Sequence, residues 1–187
     1  MPYLAVHGGT ALLDPEEILN RLDLRPDMHV ADFGAGGVGH FTFSMSRRVG
    51  KGGVVYAVDV VQENLKAIKS RAVTEGATNI VPVWSNLEKP GAVTEISVAS
   101  LDLALLVNVL FQNRRYDLIL TEASRLLKAG GKLLVCDWRP GGSPIGPAEE
   151  WRVSEDDAGR AAQAAGLVLL QNFSAGPYHY GLIFAKS

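Results

Sequence analysis

The sequence of 187 residues contains very little cysteine and no metal-binding pattern. Its one cysteine, Cys136, cannot form a disulfide within the chain, which is typical of proteins from a reducing compartment. Cys136 lies in the apolar run "KLLVCDW", and this indicates a buried core thiol rather than a nucleophile. The four histidines are scattered without metal-ligand spacing. We therefore predict no metal site.

The chain also lacks an excess of either charge and any long hydrophobic run. Lysine and arginine number 18 against 20 aspartates and glutamates, so nothing indicates the basic face that nucleic-acid binding usually requires. The longest apolar stretch, "LDLALLVNVLF", is far too short to span a membrane. The beginning of the chain has no basic region followed by a long apolar one, so no signal peptide is indicated. We expect a cytoplasmic protein without a membrane span.

Strand-like segments alternate with helical patterns along the chain. A first helix is predicted in "LLDPEEILNRL", where Asp14 can cap and Pro15 fits the first helical position. Five strand–helix units follow, and then "LVLLQNF" and "YHYGLIFAK", which are joined by the turn-like "SAGP". This order predicts an α/β fold, a doubly wound parallel sheet that ends in an antiparallel hairpin. We expect a single domain over residues 1–187, in which 1–27 form an arm and a helix.

The glycine-rich stretch "VADFGAGGVGHFT" is compatible with two ligands. Gly34, Gly36 and Gly39 fit the G-x-G-x-x-G pattern of dinucleotide-binding proteins, and ligands of such sheets bind at the carboxyl ends of the strands. Counted from Asp32, the same stretch begins D-x-G-x-G, as in methyltransferases that use S-adenosylmethionine (AdoMet). A carboxylate at position 32 would favour the cationic methionine end of AdoMet and disfavour a pyrophosphate. Asp59 ends the second strand and can accept hydrogen bonds from ribose hydroxyls, which suits both NAD and AdoMet.

Taken in order, several stretches resemble class I AdoMet-dependent methyltransferases, in particular the small group related to the ubiquinone/menaquinone C-methyltransferases. The resemblance extends from Asp14 to Lys186. It is carried by "VADFGAGGVGHFT", "GGVVYAVDV", "NIVPVWSNLEKP", "SLDLALLVNVLFQ", "EASRLLKAGGKLLVCDW" and "GPYHYGLIFAK". It implies a Rossmann-like fold with an AdoMet-binding core over residues 28–187, S-adenosylhomocysteine as product, and methyl transfer to a small-molecule acceptor. The protein would act as a monomer or a homodimer.

The same resemblance implies a set of cofactor-binding residues. Residues around the methionine part would be Asp32, Gly34, Gly36 and Gly39. Asp59 would hold the ribose, Val60 would line the adenine pocket, and Asn86 and Leu87 would meet the adenine edge. Asn108, at the end of the fourth strand, would lie beneath the sulfonium.

The sequence departs from the usual motif in two places. The glycine loop is one residue longer than D-x-G-x-G-x-G, because Val38 stands where a glycine is expected. Asn86 occupies a place often held by aspartate. An amide oxygen can accept from the adenine amino group, so Asn86 is still expected to bind.

The acceptor side of the site shows no evident acid–base pair, so the catalytic residues are left open. His179, Asp137 and Asn108 are weak candidates, with His179 the possible base. An acceptor pocket is predicted from residues at strand ends: Trp138, Arg139, Tyr178 and His179. A histidine or an aromatic residue in such positions is more often a packing residue. We expect the N-terminal arm and the loop 139–147 to build the rest of the pocket.

Three other functions remain open from the sequence alone. The cadence of the second and third strands also resembles fibrillarin-like RNA methyltransferases, so an RNA or protein substrate is one alternative; a basic groove beside Arg47, Arg48, Arg114 and Arg115 would support it. A non-catalytic AdoMet-binding module is another. An NAD-dependent oxidoreductase is the alternative with the least support, because no substrate domain follows the hairpin.

Overall fold

The computed structural model describes residues 12–141 and 145–187. The α-helices are α1 (Pro15–Leu19), α2 (His40–Val49), α3 (Gln62–Glu75), α4 (Tyr116–Leu126) and α5 (Glu155–Ala164). The strands are β1 (His29–Phe33), β2 (Val54–Asp59), β3 (Ile80–Trp84), β4 (Leu101–Val107), β5 (Leu127–Trp138), β6 (Leu167–Ser174) and β7 (His179–Lys186).

These strands form one sheet in the order β3-β2-β1-β4-β5-β7-β6. Strands β1 to β5 are parallel to one another, and β7 lies antiparallel between β5 and β6. One face packs against α4 and α5, and the other packs against α1 and α2. The predicted α/β fold, a doubly wound parallel sheet that ends in an antiparallel hairpin, is confirmed.

The helix starts follow the capping signals of the sequence. Asp14 Oδ1 accepts a hydrogen bond from Glu16 N at 2.9 Å, and Pro15 opens α1. Ser154 Oγ accepts from Asp157 N at 3.1 Å at the start of α5. Each bond satisfies a backbone N–H that has no partner within its own helix, so short polar residues mark where these helices begin.

The prediction of five strand–helix units is wrong at the third unit. Residues 85–100, between β3 and β4, contain turns and no helix. Leu87, Val93 and Ile96 in this connection are nonetheless buried in the core under α4. The connection therefore covers the sheet with side chains from a loop, where a helix usually does so.

The sequence pattern of "RRYDLILTEASRLLKAGG" predicts a helix that stops at Gly130–Gly131, and this stop is wrong. The helix ends at Leu126, and Leu127 already has an extended backbone with φ −68° and ψ 140°. Leu127 pairs with Leu101 of β4, so the chain joins the sheet before it reaches the glycines. Strand pairing at this point overrides the local stop signal.

A buried ion pair on α4 holds the helix-free connection. The Glu122 carboxylate, fully buried, accepts from Gly91 N at 2.8 Å and from Val93 N at 3.2 Å. It also pairs with Arg125 at 2.6 Å. Burial by itself raises the pKa of Glu122, but these donors outweigh it and hold that pKa below its usual value. The stability that this carboxylate contributes is present above its usual pKa and is lost as the pH falls through the lowered one.

Replacing Glu122 by glutamine tests this clamp. Glu122→Gln removes the charge and replaces one carboxylate oxygen by an NH₂ group, which cannot accept from the N–H groups of Gly91, Val93 or Arg125. We therefore expect a loss of about 2 kcal/mol in the free energy of unfolding, measured with urea at neutral pH. Glu75→Gln, in the half-exposed pair with Arg71, is the matched control and should cost less than about 1 kcal/mol. Equal losses in the two variants would contradict the clamp.

Candidate cofactor and acceptor site

A cleft lies where the strand order of the sheet reverses, between β1 and β4. Such reversals open a crevice at the carboxyl ends of the strands, because the loops on either side turn away from each other. The cleft has a volume of about 220 Å³. Of the nine predicted cofactor residues, six line it: Gly34, Gly36, Asp59, Val60, Asn86 and Leu87.

The sequence reasoning missed other residues of this cleft. They come from the start of α3, the connection after β3, the turn after β4 and the first half of α4: Val61, Asn64, Ser85, Glu88, Val109, Gln112, Asn113 and Ile119. The polar pair Gln112–Asn113, directly after an apolar strand, was the one available signal. The others become neighbours only through the tertiary fold.

The glycine loop packs tightly against the turn that follows β4. Gly34 has a φ of +77°, and a Cβ at this position would lie 2.6 Å from Val109 Cγ2. Its N–H donates to Val58 O at 2.8 Å, which fixes the loop to the end of β2. Only glycine combines this left-handed backbone with this close approach.

The extra residue of the loop is accommodated on the outside. Val38 is exposed, and Arg71 Nη1 donates to its carbonyl at 2.7 Å. Gly39 follows with a φ of +60° and is the N-cap of α2. Gly39 is buried and does not line the cleft, so the added residue lengthens the solvent side of the loop.

Asp59 ties the end of β2 to the glycine loop. Its Oδ2 accepts from Gly36 N at 2.9 Å and from Asn64 Nδ2 at 3.2 Å. Its Oδ1 accepts from Val61 N at 2.8 Å. A carboxylate offers about four acceptor sites, so about one is left for a ligand hydroxyl. A rotation of the Asn64 side chain would release a second site.

Asp32 lies beneath the loop and does not line the cleft. Its side chain is buried, and its Oδ2 accepts from Thr42 Oγ1 at 2.6 Å in the first turn of α2. Burial raises the pKa of Asp32 to about 6, although the Thr42 hydrogen bond lowers it. Asp32 therefore changes charge close to physiological pH.

Two neighbouring polar residues face the part of the cleft that follows β3. Asn86 Oδ1 accepts from Glu88 N at 2.9 Å, so the oxygen that the sequence assigned to the adenine amino group already has a donor. This arrangement leaves the Asn86 amide N–H groups for a ligand. Ser85 Oγ is buried and has no hydrogen-bond partner among the described residues. A buried hydroxyl without a partner is costly, which fits a ligand at this position.

Asn108 takes an unusual backbone conformation at the end of β4. Its φ is +58°, a region that asparagine tolerates better than most residues. Its N–H donates to Cys136 O at 2.8 Å. Both polar atoms of its buried amide lack a partner within the described part of the chain. Asn108 is not among the residues that line the cleft, but it lies next to Val109, which is.

Asp137 holds the turn after β4 and has no open path to a ligand. Its Oδ2 accepts from Leu110 N at 2.7 Å and from Phe111 N at 3.4 Å, and its Oδ1 accepts from Trp138 N at 2.8 Å. The side chain is fully buried, and burial raises its pKa to about 7. These contacts occupy the carboxylate of Asp137, a weak catalytic candidate from the sequence, with backbone donors.

Trp138 and His179 are buried against each other and do not line an open pocket. Their ring centroids are 4.2 Å apart, across the β5–β7 pairing. Neither His179 ring nitrogen has a hydrogen-bond partner among residues that the structure describes, and burial lowers the pKa of His179 to about 4. His179 is therefore neutral at physiological pH. Gly146 and Arg152, from the segment after β5, lie against the Trp138 ring, and Arg152 Cζ is 5.9 Å from the ring centroid.

Arg152 fastens that segment. Its guanidinium donates to the carbonyls of Arg139 at 3.1 Å, Ile145 at 2.9 Å and Pro147 at 3.0 Å. Arg139 itself is exposed and pairs with Glu155 at 3.4 Å, and its N–H donates to Tyr178 O at 2.8 Å. The four predicted pocket residues are thus close in the fold, with two of them covered. Parts of the predicted pocket wall, residues 1–11 and 142–144, lie outside the described residues.

The charges that would form a basic groove are largely compensated. Arg47 and Arg48 both pair with Glu16, at 3.9 Å and 2.6 Å, and Arg115 pairs with Asp117 at 3.2 Å. In the described ranges, His, Cys, Asp and Glu do not gather into a group of three or more that could hold a metal ion. No helix in these ranges has the length and apolar character needed to cross a membrane.

A seven-stranded sheet of this order, with a cleft at its reversal point and an acidic residue at the end of β2, defines the class I AdoMet-dependent methyltransferase fold. Residues 24–165 match the family model described as a methyltransferase domain, and the chain belongs to this family.

Individual relatives support the same assignment. The chain is 31% identical over 141 residues to a ubiquinone/menaquinone biosynthesis C-methyltransferase of Laribacter hongkongensis, which covers 75% of this chain and 55% of that protein. It is 29% identical over 133 residues to the Bordetella parapertussis protein of the same name, covering 71% and 49%. The chain thus spans about half the length of these relatives. A crystal structure of a SAM-dependent methyltransferase from Aquifex aeolicus matches with a TM-score of 0.85 and 25% identity, over 95% of this chain and 92% of that one.

Gly34→Ala tests the close approach between the glycine loop and Val109. The added methyl group would strain the backbone and collide with Val109, so we expect AdoMet binding, measured by calorimetry, to weaken by at least about tenfold. Gly76→Ala is the control, because Gly76 has a similar φ of +67° with no atom within 4 Å of an added Cβ. Val109→Ala in the Gly34→Ala background should restore part of the affinity; unchanged binding in Gly34→Ala would refute the packing argument.

Proposed function

We propose that the protein transfers the methyl group of AdoMet to a small-molecule acceptor. The observation that carries the proposal is the cleft at the β1–β4 reversal, which brings together Gly34, Asp59 and the unpartnered Ser85 hydroxyl. These residues fit AdoMet, because they offer a close-approach backbone, a carboxylate for a ribose hydroxyl and a free polar atom near the adenine. When bound, AdoMet supplies a sulfonium methyl group that a nucleophile can accept, with S-adenosylhomocysteine as the product.

Within this proposal, different residues bind the ribose, the adenine and the methionine part of AdoMet. Asp59 binds a ribose hydroxyl with its remaining acceptor site, while Val60 covers the adenine. Ser85 and the Asn86 amide hydrogen-bond the adenine edge. The buried Asp32 acts on the methionine end through its charge, because its carboxylate lies below the loop without lining the cleft.

On the acceptor side, we propose that the protein works mainly by positioning. Asp137 is fully buried and accepts from the N–H groups of Leu110, Phe111 and Trp138, and His179 is fully buried, so neither is placed to take a proton from an acceptor. Holding a nucleophile in line with a methyl group can by itself remove several kcal/mol from a barrier. A nucleophile that needs no strong base fits such a site best. Asn108 would face both reactants from the end of β4.

We further propose that residues 1–187 act as a single methyltransferase domain, as a monomer or a homodimer, in the cytoplasm. The one sheet that contains every described strand supports the domain assignment. The buried free thiol of Cys136 supports a reducing compartment. An RNA or protein substrate has less support, because Arg47, Arg48 and Arg115 have acidic partners.

Calorimetric titration with AdoMet, S-adenosylhomocysteine and NAD tests the cofactor. We expect micromolar binding of the first two and none of NAD, with binding weakened in Asp59→Asn because the ribose loses a charged acceptor. Glu63→Gln, an exposed exchange on α3 outside the cleft, is the matched control. Binding of NAD in place of AdoMet would exclude the methyltransferase function.

The acceptor class follows from the same preparation. After incubation of a lysate with methyl-labelled AdoMet, label should appear in low-mass products that are separated from the remaining AdoMet, and this label should depend on intact Asp59. Label confined to the RNA or protein fraction would replace the small-molecule proposal with the macromolecular alternative.

The pH dependence of AdoMet binding tests the role of Asp32. Its pKa of about 6 means that the carboxylate gains a proton as the pH falls through 6. The attraction for the AdoMet ammonium group is then lost, so the dissociation constant should rise below pH 6 and level off above it. Asp32→Asn should show weak binding with no such rise. A wild-type affinity that stays constant from pH 5 to 8 would rule out this role.

A further inference from the structure

Arg114 presents a fixed guanidinium beside the cleft. It directly follows Asn113, a cleft residue, and its side chain lies over the ring of Trp151 with Cζ 3.9 Å from the ring centroid. A guanidinium held over an aromatic ring keeps its N–H donors in its own plane, where they can still donate to a ligand. The exposed Arg114 side chain is thus oriented by Trp151.

No carboxylate compensates the charge of Arg114 within the described residues. All eleven arginines of the chain lie in the described ranges, and the other ten are each within 4.0 Å of an acidic side chain. The contrast is sharpest with the next residue, Arg115, whose guanidinium bonds Asp117 and has its pKa raised by that contact. Arg114 is thus the arginine without an acidic partner in the described part of the chain, and it directly follows Asn113, which lines the cleft.

The backbone turn that precedes Arg114 is held by two hydrogen bonds from residues in and beneath the cleft wall. Asp137 accepts from Leu110 N at 2.7 Å, and Asn113 Nδ2 donates to Val109 O at 2.8 Å. Residues 110–112 form a single 3₁₀ turn, Asn113 is extended, and Arg114 follows it directly. The guanidinium is therefore carried by a backbone segment whose hydrogen bonds tie it to Val109, just after β4, and to Asp137.

We propose that Arg114, stacked on Trp151, binds a carboxylate or phosphate group of the acceptor. The inference rests on the proposed methyltransferase function and narrows its substrate class to anionic small molecules. The planar fork of a guanidinium matches both oxyanions through paired hydrogen bonds. Trp151 adds an aromatic edge beside the same group. Arg114 thereby determines acceptor specificity and takes no part in the methyl transfer.

Binding of simple anions to the complex with S-adenosylhomocysteine tests the proposal without knowledge of the acceptor. The protein has three tryptophans, so ¹⁵N-labelled protein gives three indole signals, and Trp151→Phe identifies that of Trp151. The probes are benzoate, phenyl phosphate and the neutral benzamide. We expect benzoate or phenyl phosphate to shift the Trp151 signal saturably, while benzamide does not and Trp84 serves as an unaffected reference.

The variants separate Arg114 from general surface charge. Arg114→Ala should weaken the anion response by about tenfold or more, and Arg114→Lys should weaken it less, because a point charge lacks the planar fork. Arg115→Ala is the matched control and should leave the response unchanged. Whichever of benzoate and phenyl phosphate binds more tightly identifies the acceptor group.

Three results would overturn the proposal: no saturable shift, an equal response to benzamide, or equal losses in Arg114→Ala and Arg115→Ala. The proposed function fails separately, since it requires binding of S-adenosylhomocysteine in calorimetry. The effect of anions on the Trp151 signal can also be measured in protein without S-adenosylhomocysteine. A failure of anion binding can therefore be distinguished from a failure of cofactor binding.

Discussion

The parallel pairing of β1 with β4 is the contact on which the site depends. Phe33 pairs with Leu106, so the chain leaves both strands at the same edge of the sheet. From there the next strands lie on opposite sides, β2 beside β1 and β5 beside β4. The two outgoing loops consequently separate and leave a cleft between them. Asp32 and Asn108 come to this edge from positions 76 residues apart in the chain.

Two carboxylates make the walls of that cleft rigid by accepting from backbone N–H groups. Asp59 holds the glycine loop through Gly36, and Asp137 holds the turn after β4 through Leu110. Each bond satisfies a loop donor that would otherwise need water. The loops are thus fixed before a ligand arrives, and less of the binding energy is spent on ordering them. Acidic residues in this protein therefore serve the shape of the site as much as its chemistry.

Local signals in the sequence predicted what depends on neighbours in the chain. Asp14 and Ser154 marked helix starts because capping involves residues two or three positions away. The alternation of strands and helices predicted the sheet and its hairpin, and the resemblance to class I methyltransferases, which includes the glycine motif, predicted six residues of the cleft. The same reasoning failed at the Gly130–Gly131 stop, where pairing of Leu127 with Leu101 decides the backbone.

Residues whose environment is set by distant segments could not be predicted. Ser85 gains its place in the cleft only when the connection after β3 packs beneath α4. His179 was a weak catalytic candidate at a strand end, but the fold buries it fully against Trp138. The unpaired charge of Arg114 likewise became visible only when the acidic partners of the other arginines were known. Sequence pattern shows which residues can ionise, and the fold shows which of them remain uncompensated.

The helix-free connection from β3 to β4 gives one stretch of chain two duties. Leu87, Val93 and Ile96 fill the core as a helix would, while Ser85 and Asn86 at its start line the cleft. Insertions that surface loops usually tolerate would here displace hydrophobic side chains and cofactor contacts together. This segment should accordingly vary little in length during divergence, whereas new acceptor preferences can arise in the turns around Arg114 and Arg152 without disturbing the half of the fold that holds the nucleoside.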